Sequence, residues 1–297
     1  MIAGARQGSV AVTGASSGIG RACALHLDRI GYQVLAGIRK ESDAEALRQS
    51  GSERLTPIRL DVTDSGSIAE AADVVRREVG GNGLLGLVNN AGIAVGGPLE
   101  FLPLEDMRRQ MEVNLIGTLA VTQALLPLLR SGRGRIVNIG SVSGRVAAPF
   151  LGPYAASKFA LEAMSDALRL EVAPWGIYVA MVEPGAVDTP IWGKALSEDA
   201  ERLSARPEIG RTLYGRAVEA VRRHVEATAE SGMPAQVVAE AVAHALCARR
   251  PKARYHVGRG LRLRVAFLTA IPTRWRDKLI QWGMGLEGEG GEMQDEN

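Results

Sequence analysis

The sequence is poor in cysteine: Cys23 and Cys247 are the only two in 297 residues. Two thiols build no disulfide framework, and neither has the spacing of a metal ligand. No metal is expected, and the setting is expected to be reducing and cytoplasmic. No secretory leader is expected either, since "MIAGARQGSVAVTG" has one arginine and no apolar run before it becomes a strand. The longest uncharged run, Val113 to Leu129, contains Asn114, Gln123 and Pro127 and reads as a buried helix, not a membrane span. No zinc-finger, aromatic RNA-binding or helix-turn-helix pattern occurs, so nucleic acid is not an expected partner.

What is present is ordinary for a globular protein: 46% hydrophobic and 23% charged residues. The length suits one large domain or two small ones and is enough to bury a sizeable core. Net charge is +2, but the tail from Glu287 to Asn297 holds five acids and no base, so the rest of the chain is basic. That tail is expected to be disordered.

Short β-branched runs alternate with stretches of helical spacing. Strands are expected at 9–14, 33–38, 55–62, 84–92, 134–141, 177–185 and 254–258. Helices are expected at 19–30, 68–79, 104–129 and 154–173, with Pro127 marking an end or kink. This order predicts the α/β class: a doubly wound, Rossmann-like parallel sheet of about seven strands in one domain, residues 1–286. Its nearly continuous apolar strands fit a sheet covered on both faces. The segment 187–233 interrupts the rhythm with two helical stretches and is placed to cover a pocket. Residues 261–286 form a helical extension.

"TGASSGIG" (13–20) follows the first strand and opens the first helix. Gly14, Gly18 and Gly20 let backbone approach a pyrophosphate, and the helix N-terminus adds N–H groups and a positive dipole. The second strand ends in Arg39 and Lys40, where NAD-binding folds often place a carboxylate. An arginine pairs with a 2′-phosphate. The expectation is therefore NADP(H), with NAD(H) as the alternative cofactor. Asp61 either reaches the adenine or caps the turn before Asp64.

Tyr154 and Lys158 in "GPYAASKFALEAM" stand four apart, on one face of a helix that starts near Pro153. A nearby ammonium lowers a phenol pKa toward neutrality, where proton transfer works best. Ser141, at the end of the fifth strand, is placed to bond a substrate oxygen; Ser143 is the alternative donor.

"TGASSGIG", "NNAG", Asn114 in "EVNLIG", Ser141, "YAASK" and Pro184–Gly185 occur in the order and approximate spacing of the short-chain dehydrogenase/reductase family, which the chain resembles over roughly residues 9–260. The resemblance implies that Tyr154 is the general acid/base. It implies that Lys158 lowers the tyrosine pKa and holds the nicotinamide ribose, that Ser141 polarises the substrate oxygen, and that Asn114 holds a relay water. It implies cofactor contacts along Gly14, Ser16, Ser17, Gly18, Ile19 and Gly20, and at Arg39, Asp61 and Val62. Further contacts are implied at Asn90, Ala91, Gly92, Tyr154, Lys158, Pro184, Gly185, Val187 and Thr189. Asn90 would mainly stabilise the central sheet. A homodimer or homotetramer is implied through the long helices.

The rim carries Val146, Phe150, Leu151, Ile191, Trp192, Leu196, Leu203, Leu213 and Tyr214, which suits a lipophilic secondary alcohol or ketone. "VLAGIRK", "VEPGAVDTP" and the long C-terminus resemble the hydroxysteroid and retinol dehydrogenase branch. A 3-oxoacyl reductase and a non-catalytic NADP(H)-binding sensor or scaffold are the alternatives. For 261–286, packing over the active site or against a partner subunit is expected, with membrane association the weaker alternative.

Overall fold

The computed structural model describes residues 8–193, 195 and 208–286. Seven strands form one parallel sheet: β1 (Ser9–Val12), β2 (Gln33–Ile38), β3 (Leu55–Arg59), β4 (Gly86–Asn89), β5 (Arg135–Ile139), β6 (Tyr178–Pro184) and β7 (Arg254–Val257). The spatial order is β3-β2-β1-β4-β5-β6-β7. The order reverses between β1 and β4, where Val12 pairs with Val88. Their carboxyl ends therefore open the crevice in which such sheets bind ligands.

Helices α1 (Gly18–Arg29), α2 (Ser42–Ser50), α3 (Ser65–Val79), α4 (Leu104–Met111), α5 (Gly117–Gly132), α6 (Gly152–Val172), α7 (Glu208–Glu230), α8 (Ala235–Cys247), α9 (Leu261–Ala270) and α10 (Thr273–Gly283) complete the described chain. The sheet's two faces are separate cores because strand side chains alternate. Val10 and Val12 join α1 and α8 through Leu27, Val242 and Leu246. Ala11 and Leu35 join α3 and α5 through Val75, Val121, Leu125 and Leu129. Continuous burial of β1, β4 and β5 follows from covering both faces.

The expected helix 104–129 is one path with a defect upstream of its proline. A π turn, Glu112–Ile116, separates α4 from α5, while Pro127 lies inside α5 and the helix continues to Gly132. Of the segment 187–233, residues 194 and 196–207, with Leu196 and Leu203, lie outside the described residues, as does the tail 287–297.

Candidate active site

The first loop is shaped by what a side chain would hit. Gly14 has φ +63, and a Cβ there would lie 2.8 Å from the Ala91 Cα. A Cβ on Gly20 would collide with the Gly14 carbonyl oxygen and Asn90 Nδ2. Helix α1 starts at Gly18 with no side-chain cap from Ser17, so its first N–H groups remain available to an anion. Ser16, Ser17 and Ile19 are half-buried along this rim. The loop is tied to β4 by Asn90, whose Nδ2 donates to the Thr13 and Gly14 carbonyls at 3.0 and 3.1 Å. The Ala91 N–H donates to Thr13 Oγ1.

Asn90 therefore holds the loop, while the sheet-stabilising part belongs to Asn89. Its Nδ2 reaches Thr122 Oγ1 at 3.0 Å and Asn138 Oδ1 at 2.9 Å. Asn138 continues to Ser165 at 2.8 Å.

Arg39 is exposed just past β2. Asp61 accepts from the Thr63 N–H and hydroxyl at 3.0 and 2.7 Å. Desolvation works to raise its pKa, but those two bonds and the charges of Arg39 and Arg59 hold it below the ordinary carboxylate value. The carboxylate thus serves its own turn, and Asp64 caps α3. Val62 is buried. Across the crevice Thr189 lies 3.2 Å from where a Gly18 Cβ would stand. Gly185 is pinned by its N–H to the Val257 carbonyl at 3.0 Å, and buried Val187 bridges Met233.

Ser141 ends β5 and Tyr154 enters on the first turn of α6, with Pro153 at its start. Both are buried, as is Lys158. Burial raises the Tyr154 pKa, and a hydrogen bond with Ser141 offsets part of the rise. The direction is opposite to that expected from the lysine. Lys158 Nζ donates to the Ile139 carbonyl at 2.8 Å and sits 5.7 Å from the tyrosine ring centroid. Burial brings Lys158 itself down to about 8, against the opposing pull of Glu162. Ser143 donates its N–H to Ser141 Oγ at 3.1 Å and acts as the turn residue.

Asn114 lies in the π turn, a device often found at functional sites. Its Oδ1 accepts from the Ile93 N–H at 2.9 Å, and its Nδ2 donates to the Ile93 carbonyl and Ser157 Oγ. Two residues not singled out in the sequence complete this clamp. Gln110 bonds Val95 and Ile93, and Ser157 donates to the Tyr154 carbonyl at 2.8 Å. Behind Lys158 lies a charged cluster. Arg254 reaches Glu162 at 3.1 Å, Asp166 at 2.6 Å and buried Glu183 at 3.3 Å, with His256 2.9 Å from Glu183. Burial, then the neighbouring Glu183, pushes Glu162 up to about 7.

A cleft open to solvent is lined by Phe150, Leu151, Trp192, Val218, Val221 and Val225, with Arg222 at its side. Trp192 meets Tyr154 edge-on at 5.4 Å. Trp192 therefore joins the wall of the apolar cleft to the tyrosine ring. Phe150 is held at φ 63, with its carbonyl accepting from Gly97 at 2.7 Å. Tyr214 packs on Phe101 and Phe150, whereas Leu213 is exposed. The valines of α7 follow helical spacing, which is the signal that could have found them. Among the described residues no group of three or more His, Cys, Asp or Glu is placed to hold a metal ion.

Comparison with known proteins gives the same picture. The family described as short chain dehydrogenase matches residues 9–200. Retinol dehydrogenase 5 of Mus musculus is 42% identical over 91% of this chain and 87% of its own. An NADPH-dependent 3-dehydrocapnine reductase of Ornithobacterium rhinotracheale is 36% identical, covering 91% and 94%. A short chain dehydrogenase from Burkholderia cenocepacia J2315, solved in complex with NADP, superposes with a TM-score of 0.71 at 26% identity, covering 92% and 98%.

These relatives correct the cytoplasmic expectation. The retinol dehydrogenases of Mus musculus and Homo sapiens among them speak against a cytoplasmic setting. One stretch, Leu104–Gly132, is also long and apolar enough by length and composition to cross a membrane, although its Val121, Leu125 and Leu129 are buried in the core.

Proposed function

The chain belongs to the short-chain dehydrogenase/reductase family, in the retinol and hydroxysteroid branch, as an oxidoreductase of CH–OH groups; from that premise we propose that it interconverts a lipophilic secondary alcohol and its ketone with NADP(H). The observation that carries the reading is buried Tyr154, hydrogen-bonded with Ser141 and packed edge-on against Trp192 of the apolar cleft.

The loop fits a dinucleotide because backbone there is bare of side chains and the α1 N-terminus is uncapped. Gly14, Ser16, Ser17, Gly18, Ile19 and Gly20 would hold the pyrophosphate side. Arg39 would pair with a 2′-phosphate, Val62, Asn90, Ala91 and Gly92 would border the adenosine half, and Pro184, Gly185, Val187 and Thr189 the nicotinamide. A nicotinamide bound there supplies or accepts the hydride.

The protein's part is geometry and protons. Ser141 holds the substrate oxygen against the Tyr154 hydroxyl. In reduction Tyr154 gives its proton to that oxygen; in oxidation it takes it. Lys158 keeps positive charge next to the phenolate so formed, although in the chain alone its contact is the Ile139 carbonyl. Asn114 orients the Ile93 backbone and α6 through Ser157, and it is the residue placed to hold a relay water. The apolar walls of the cleft favour a greasy substrate.

The test is a panel of steroids, retinoids, acyl thioesters and simple ketones, followed by NADPH absorbance with NADH alongside, on wild type and Arg39→Ala. Turnover of the lipophilic alcohols or ketones is expected, with KM for NADPH raised far more than KM for NADH in the variant. Equal effects on the two cofactors overturn the phosphate role, and activity on acyl thioesters alone overturns the substrate class.

A further inference from the structure

Lys158 is a cation in a buried place. It is 7% exposed, and its Nζ donates to the Ile139 carbonyl at 2.8 Å. A neutral carbonyl accepts the hydrogen bond but brings no counter-charge, and burial favours the uncharged amine. Glu162 stands four residues further along α6, one turn beyond Lys158, just as Lys158 is one turn beyond Tyr154. The three side chains share one helix face in the order phenol, ammonium, carboxyl.

The end of β5 and the loop after it make room for that carboxyl. Lys158 reaches Ile139, and a Cβ on the next residue, Gly140, would lie 3.3 Å from Glu162 Oε1. A Cβ on Gly144 would meet the Lys158 carbonyl oxygen at 3.0 Å and Glu162 Cγ at 3.3 Å. Bare backbone at these two glycines lets the loop that begins at Ser141 lie over both residues. The proton transfer between Tyr154 and the substrate does not itself use Glu162, and burying a carboxyl costs stability.

Charged groups from every neighbouring element face Glu162. Arg254 of β7 donates from Nε to its Oε2 at 3.1 Å. Glu183 of β6 shares a hydrogen bond with it, which two carboxyls make only with a proton between them. Arg145, after β5, adds positive charge. Asp166, on the next turn of α6, takes the other arm of Arg254 at 2.6 Å. His256 of β7 reaches Glu183 at 2.9 Å, and Arg262 of α9 acts on His256. For Lys158 the charge that opposes its desolvation is that of Glu162.

We propose that Glu162 is a positioning residue that acts through Lys158: its carboxylate holds the proton on the buried ammonium, so that positive charge stands beside Tyr154 while the phenol is ionised. This rests on Tyr154 being the proton donor and Lys158 its charged neighbour. Glu162 titrates at about 7 and Lys158 at about 8. The carboxyl therefore becomes charged just before the ammonium would lose its proton, and the working range of the lysine extends upward in pH.

The first test follows the Lys158 side chain through pH in the full chain, by NMR of isotope-labelled lysine assigned with Lys158→Arg. It needs no substrate, so failure of the redox reading leaves it intact. Glutamine copies the protonated carboxyl, donating to Glu183 and accepting from Arg254. Glu162→Gln is expected to displace the Lys158 midpoint downward by about one pH unit. Glu162→Asp, which keeps the charge, should restore most of it. Asp166→Asn, which loosens the same Arg254, should leave the midpoint in place. In wild type itself the lysine resonance should show a smaller first step near pH 7, as Glu162 ionises beside it. The second test is ketone reduction. Glu162→Gln should run near the wild-type rate at about pH 6 and about eightfold slower at about pH 8.5, the loss that such a displacement gives. A midpoint unmoved in Glu162→Gln, an equal displacement in Asp166→Asn, or turnover lowered by one factor at every pH overturns the proposal. So does a wild-type titration without the first step, even if the glutamine variant fails to fold.

Discussion

At the scale of the residue, the meeting of Ser141, Tyr154 and Lys158 was legible because side-chain type and spacing predict it. Four residues on a helix fix a common face whatever else the chain does. Their partners were not legible. Gln110, Ser157 and Glu183 matter through contacts that arise only when α4, α6 and β6 are brought together. The phenol's proton also depends on burial, which overrides the simple tyrosine–lysine pairing. Because Tyr154 is buried, hydrogen-bonded with Ser141 and proposed as the proton donor, Tyr154→Phe is expected to lower kcat by about 10²–10⁴-fold while leaving cofactor affinity nearly intact. Turnover and cofactor titration by fluorescence check this; near wild-type kcat would sink the assigned role.

At the scale of the element, every strand was readable, since burial on both faces writes an apolar run into the sequence. Ends were overread: β3 stops at Arg59, not Val62. Helix α2 was missed because only Ala44 and Leu47 are buried in a polar nonapeptide, too few to show a period. The π turn was invisible because it is set by distant groups. Asn114 gives both its amide ends to Ile93 and one to Ser157. Asn114→Ala leaves those buried groups without their partner, so the folded state should lose about 1–3 kcal/mol. Urea unfolding measures it. An unchanged midpoint would mean that Asn114 acts only on the reaction.

At the scale of the whole molecule, the sheet gathers buried charge beneath the site, and pH acts on the fold through it. The Glu162 pKa in the folded state is about 7, above its unfolded value. Its contribution to stability is therefore complete below the ordinary carboxylate pKa and is lost as pH rises through about 7. Glu162→Gln lacks that titration. Between about pH 5 and pH 7.5 the melting temperature of wild type should fall further than that of the variant. Parallel profiles in differential scanning calorimetry would refute the raised pKa.

The same whole-molecule view gives Phe150 a meaning in evolution. A left-handed backbone costs a residue with a Cβ about 1 kcal/mol, yet here it carries the ring that narrows the cleft. Changes that enlarge a binding site usually weaken the fold. Glycine at 150 would relieve strain and open space together, so drift toward bulkier substrates meets less resistance there than at Trp192 or Val221. Selection for a narrow substrate range has to act on that position directly, because selection for folding will not guard it.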